Sequence, residues 1–128
     1  MSRSAIVIFA HGSSIESANE SVRQVAESVG REAGFELVEA AFLGGGRPDL
    51  AEAVAAVAAK GARRIIVVPY FLTLGIHLQR DLPHIVEELS CIHKDVVIRV
   101  TPPLDGHPAL GEILKERARE ALATGKTE

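Results

Sequence analysis

Cysteine is nearly missing from this chain. A single one, Cys91, among 128 residues excludes an internal disulfide and fits a reducing compartment. Cys91 and His93 make only a C-x-H pair, short of the four donors of a structural zinc site. Long hydrophobic runs are missing too, since nothing approaches the ~18 to 20 consecutive apolar residues that span a bilayer. The apolar stretch near the N-terminus, AIVIFA, is too short for a secretory core and reads as a strand, so the expected location is cytoplasmic. Nor is there a strong excess of one charge. A net charge of −3 gives no global attraction to nucleic acid or to an anionic membrane, so neither is an expected partner, and an anionic ligand must be met by local arginines and lysines. The G-x-x-x-x-G-K-[ST] phosphate loop is absent, and no nucleotide is implied.

What is present is a globular composition, 47% hydrophobic and 24% charged. The length fits one domain, residues 1–128 with a frayed tail from 124, burying roughly two-thirds of its unfolded surface. Ala5 to Ala10 and Ile65 to Val68 are continuous apolar runs, as expected of strands buried on both faces, and Pro69 closes the second. Phe35 to Leu43 mixes alternation with Glu36 and Glu39 and suits an edge strand; Asp95 to Val100 reads as a fourth. Helical periodicity runs through Val22, Val25, Ala26, Val29 and Ala33, opened by capping-box spacing at Ser17-Ala18-Asn19-Glu20 and stopped at Gly34. A second helix carries Leu50, Val54 and Val57 and ends before Gly61. A third shows Leu82, Ile85, Val86 and Leu89, with Asp81 and Pro83 at its expected start. Pro108 opens a last helix, with Leu110, Ile113, Leu114, Ala118, Ala121 and Leu122 facing inward.

Strands alternating with helices predict an α/β fold, a flavodoxin-like three-layer sandwich on a four-stranded parallel sheet of order 2-1-3-4. In that order the chain reverses direction between strands one and three, whose carboxyl ends form the ligand crevice. His11 follows strand one and His77 follows strand three. Two facing imidazoles make a partial, open site for iron, cobalt, nickel or zinc. A lone histidine is more often a satisfied surface residue; two at one switch point shift the balance toward a site. His84, His93 and His107 are weaker candidates, and His107 is expected to order its own loop. The Gly44-Gly45-Gly46-Arg47 loop before a helix allows a different class of function, a phospholigand-binding module, although a flexible connection explains three glycines more simply.

Phe9-Ala10-His11-Gly12-Ser13, Ala41-Phe42-Leu43, Pro69-Tyr70-Phe71-Leu72, Gly75-Ile76-His77-Leu78-Gln79-Arg80-Asp81-Leu82-Pro83 and Leu104-Asp105-Gly106-His107-Pro108 together resemble the small CbiX/SirB-type sirohydrochlorin chelatases, over residues 5 to 122. The resemblance implies a chelatase that inserts Co2+, Fe2+ or Ni2+ into a tetrapyrrole without ATP, with His11 and His77 at the metal, and a homodimer that completes the cleft. Ser13, Arg47, Tyr70 and Arg80 are the candidate substrate-binding residues, because sirohydrochlorin is a polycarboxylate macrocycle. The chain departs from the family at Gly44, where a glutamate is common, and at Ser14, where an arginine often stands. Glu39 lies too far back along its strand to replace the glutamate, and Glu16 can approach the cleft. A divergent, non-catalytic metal- or tetrapyrrole-binding protein is the alternative within the family.

Overall fold

The computed structural model describes residues 3–124. They form β1 (Arg3–Ala10), α1 (Glu16–Ala33), β2 (Leu37–Phe42), α2 (Leu50–Ala59), β3 (Ala62–Pro69), α3 (Ile76–Ile92), β4 (Val97–Val100) and α4 (Ala109–Thr124). The sheet is parallel throughout, in the expected order β2-β1-β3-β4. Residues 125–128, most of the tail expected to fray, lie outside the described residues, while Thr124 closes α4. No helix among the described residues is long and apolar enough to cross a membrane.

β1 is central because it can be buried on both faces. Ala5, Val7 and Phe9 point into a core shared with Leu50, Ala53, Val54 and Val57 of α2 and Leu82 and Leu89 of α3. Ile6, Ile8 and Ala10 point the other way, toward Ala26 and Val22 of α1, with Ala40 and Phe42 of β2. Each large apolar side chain so buried contributes about 2 kcal/mol, whereas the exposed ion pairs along the helices contribute about 0 to 1 kcal/mol each. The layers are therefore fixed by the strands' two-sided apolar pattern.

Three local expectations are corrected. Ser17 and Glu20 are not a capping box, since α1 starts earlier, at Glu16, with Ile15 as its N-cap and no side-chain cap. The capping box instead opens α2, where the Asp49 carboxylate accepts from the Glu52 N–H at 2.8 Å and Glu52 accepts from the Asp49 N–H at 2.9 Å. α3 starts at Ile76, so His77 lies in its first turn and Pro83 lies inside the helix. The apolar stripe explains this start: Leu78 packs on the same core as Leu82, one turn further on, and that contact offsets the hydrogen bond lost at the proline. The third correction concerns α4, in which no residue is buried. Ile113, Leu114 and Leu122, expected to face inward, are exposed.

Candidate functional site

β1 and β3 lie side by side with Phe9 opposite Pro69. The chain leaves β1 toward α1 on one face of the sheet and leaves β3 toward α3 on the other, so the crevice between their carboxyl ends is the switch point where such sheets bind ligands. Past the last paired residue the strands stay zipped, the Tyr70 N–H donating to the Phe9 carbonyl at 2.7 Å. Phe71 is thereby set edge-on against Phe9 at 6.0 Å and against the His11 ring at 6.2 Å.

The turn that carries His11 is built from below. Asn19, 1% exposed, accepts from the Ser13 N–H at 2.9 Å and donates to the Ser13 carbonyl at 2.8 Å and the Gly45 carbonyl at 3.0 Å. One buried carboxamide thus ties the β1–α1 loop to the β2–α2 loop. The loops also meet directly, with the Leu43 N–H donating to the Ala10 carbonyl at 2.9 Å and the Gly44 N–H to the His11 carbonyl at 3.0 Å. Gly12 is at φ +87°, and a Cβ there would lie 1.6 Å from the Gly44 carbonyl oxygen, so only glycine fits. A Cβ on Gly46 would stand 2.9 Å from the Asn19 amide nitrogen. Gly46 is therefore a packing requirement beside Asn19, and Gly45, at φ +68°, is one beside Ser13, while a Cβ on Gly44 would meet nothing within 4 Å. The N-terminus of α2, where an anion would sit, is already closed by the carboxylates of Asp49 and Glu52, which disfavours the phospholigand reading.

His77 has a lighter frame. Its helix begins at Ile76, with Gly75 as an N-cap that offers no side chain. The Arg80 guanidinium lies 3.1 Å from His77 Nδ1 and 3.3 Å from an Asp81 carboxylate oxygen. Arginine only donates, so while this contact holds, Nδ1 is the unprotonated nitrogen of His77 and the ring proton sits on Nε2. His11 and His77 are both exposed, and no group of three or more His, Cys, Asp or Glu side chains suited to a metal occurs among the described residues. A metal held here keeps coordination positions open to water or to an incoming nitrogen.

The remaining candidates divide. Tyr70 stands at the crevice, partly exposed, and Arg80 reaches His77. Ser13 is occupied in building its turn, its hydroxyl accepting from the Ile15 N–H at 3.0 Å. Arg47 pairs with Glu52 at the start of α2. Glu16 is drawn along α1 to Arg23, whose hydrogen bond holds its carboxyl below the usual carboxylate range, so it does not stand in at position 44. Glu39 sits in mid-strand opposite Val7. His107 orders its loop as expected, its Nδ1 accepting from the Ala109 N–H at 3.0 Å.

Sequence reasoning passed over two features. Asn19 is in helical register with Val22 and Ala26, and a polar residue on an otherwise buried stripe is a readable signal. Apolar side chains also rim the crevice, Ile15, Leu43, Leu72 and Ile76 all being exposed in or beside the loops that follow β1, β2 and β3.

Residues 5–121 match the CbiX family. The chain is 31% identical to a sirohydrochlorin cobaltochelatase of Methanopyrus kandleri, over 92% of this chain and 96% of that protein. It is 32% identical to one of Saccharolobus islandicus, over 90% and 93%. Among solved structures, the CbiX protein from Marinobacter aquaeolei VT8 superposes with a TM-score of 0.82 at 30% identity, covering 94% of this chain and 98% of that one. Fold, crevice and relatives agree, and the chain belongs to the CbiX family.

Proposed function

We propose that this protein is a sirohydrochlorin chelatase, a lyase-type enzyme that inserts a divalent metal, Co2+, Fe2+ or Ni2+, into the tetrapyrrole without ATP. The observation that supports the reading is the placement of His11 directly after β1 and of His77 in the first turn of α3, the helix that follows β3, the strand beside β1. Insertion exchanges two pyrrole N–H protons for one M2+, so the site must hold the ion, accept protons and let the ion go. Imidazole serves as ligand or as proton acceptor near neutral pH. The apolar rim takes the face of the macrocycle, and Tyr70 and Arg80 meet its edge, with Ser13 and Arg47 further out.

A substrate carboxylate competes for Arg80. When Arg80 leaves Nδ1, the proton can shift to that nitrogen and Nε2 becomes free to ligate. Family membership supports two-fold pairing of this short form, with a second copy covering the crevice, and cytoplasmic residence fits the single cysteine.

The test is anaerobic absorbance of sirohydrochlorin mixed with each metal and with wild type, His11→Ala or His77→Ala. The expected result is acceleration by wild type that either substitution reduces to the protein-free rate. A bound but unmetallated macrocycle with every metal would favour the non-catalytic binding protein. Wild-type rates in both alanine variants would remove the histidines from the mechanism.

A further inference from the structure

The frame around His11 fixes its backbone and leaves its ring to be placed by something else. Asn19 and the neighbouring loop hold the turn through main-chain groups, whereas the imidazole swings on two side-chain torsions, the second of them soft. Among the described residues its polar contact is a long one, 3.4 Å between Nδ1 and the Gly12 carbonyl oxygen, and the residue is exposed. A ligand that can turn away binds an ion only in the fraction of molecules where it points inward.

The Phe71 ring supplies the missing wall. It stands edge-on to the imidazole, 6.2 Å between centroids with the planes at 62°, and in the same manner to Phe9, at 6.0 Å and 64°. Aromatic pairs prefer this geometry. Phe71 is itself held on two sides. One residue before it the Tyr70 N–H donates to the Phe9 carbonyl at 2.7 Å, and the Phe71 carbonyl accepts from the Leu104 N–H at 2.9 Å. The next carbonyl, that of Leu72, accepts from the Asp105 N–H at 2.8 Å. The Phe71 side chain packs against the buried cluster that holds Phe9, Ile65 and Val67. It thus ties β1, the loop after β3 and the loop after β4 together, and its ring meets His11.

The residue type suits that task. A phenyl ring has no lone pair to offer an ion and no acidic proton to exchange, so it restricts the imidazole without competing for either nitrogen. A polar side chain in its place would hydrogen-bond to one of them.

We infer that Phe71 is a positioning residue for the proposed reaction, holding the His11 ring in the orientation in which it meets the metal. This rests on the proposed role of His11 at the metal and adds what aims it. An aromatic pair favours one orientation by a factor of about two to ten, and apparent affinity falls with the fraction of rings left in it.

The test compares the full-length wild type with Phe71→Leu, which keeps an apolar side chain on Phe9 but no ring, and with Phe71→Tyr, which keeps the ring. In the metal-free wild type, proton NMR should show a cross-relaxation peak between the His11 and Phe71 rings, the His11 signals being identified by their loss in His11→Ala. The His11 χ1 couplings should move toward rotamer averaging in Phe71→Leu and stay in place in Phe71→Tyr. Co2+ affinity measured by calorimetry is expected to fall about two- to tenfold in Phe71→Leu and to be retained in Phe71→Tyr. In metal insertion kcat should fall by a similar factor, with the KM for sirohydrochlorin unchanged.

No cross-peak in the wild type would overturn the role. So would a Phe71→Leu protein that unfolds at lower urea yet keeps the wild-type couplings, Co2+ affinity and kcat, because it has lost packing alone. Equal losses in Phe71→Tyr and Phe71→Leu would do the same. A wild type that inserts no metal would sink only the chelatase reading, since the couplings are measured without metal or macrocycle and still decide whether Phe71 holds the ring.

Discussion

On the β1–β2 side of the crevice the loops are locked by a buried asparagine and by carbonyls that leave no room for a Cβ at Gly12. On the β3–β4 side a histidine rides on the first turn of an uncapped helix, the sheet lies open on one face, and the last helix stands clear of the core. The two halves of one small sheet are thus finished to different degrees. The difference suits a site that must take up an ion and give it away. On the proposed reading, His11 on its rigid frame would define where the ion sits, and His77 on its lighter frame, with its ring nitrogen contested by Arg80, would yield it.

Glycine substitutions break the comparison most directly. Gly12→Ala forces a Cβ against the Gly44 carbonyl on a backbone at φ +87°, and the expected loss of stability is about 3 kcal/mol or more, read from the urea midpoint. Gly75→Ala, the matching change ahead of His77, meets no atom within 4 Å and should stay within about 0.5 kcal/mol of wild type. Equal effects at the two positions would abolish the distinction between a locked side and a loose one.

Asn19→Leu comes next. It strands one N–H and two carbonyls of the interlocked loops, and a loss of about 2 kcal/mol is expected. Metal insertion should fall with it at temperatures where the protein is still folded, because the His11 turn has lost its support. Retained activity in a destabilised Asn19→Leu would mean that the turn holds its own shape. Gly44→Glu sharpens the comparison in the other direction. A Cβ there meets nothing within 4 Å, so stability should change by no more than about 0.5 kcal/mol. A carboxylate on the residue whose N–H donates to the His11 carbonyl should tighten Co2+ binding measured by calorimetry. Unchanged binding would show that position 44 does not face the ion.

Much of this was legible in the chain. Two continuous β-branched runs fixed β1 and β3 as the buried centre of the sheet, and the strand order then brought the ends that carry His11 and His77 side by side. Helix starts were less legible. Asp81 and Pro83 look like a cap and a first-turn proline, but the buried stripe reaches back to Leu78 and draws the helix start with it. Ser17 and Glu20 have the spacing of a capping box, yet the polar residue that matters between them is Asn19, whose partners are Ser13, six positions back, and Gly45, 26 positions on. The inward face predicted for α4 is a true apolar stripe. A sequence records the stripe, and not whether the rest of the chain packs against it.

The smallest expected effect lies at the start of α2, on the locked side, and it depends on pH. Hydrogen bonding to the Asp49 N–H, and then to Arg47, holds the Glu52 carboxyl below its usual range. Its folded value being depressed, the folded protein binds fewer protons here than the unfolded chain between the two values. The stabilisation is therefore complete above the ordinary carboxylate range and is lost as pH falls through the folded value. Asp49→Ala, which removes the cap itself, should cost about 1 kcal/mol at neutral pH. Glu52→Gln keeps an oxygen for the Asp49 N–H but loses the charge facing Arg47. Its deficit relative to wild type should be present at pH 7 and shrink as urea titrations are carried down through the carboxylate range. A deficit that stays constant across that range would mean that the box holds α2 by geometry alone, and that charge plays no part in locking the β2 side.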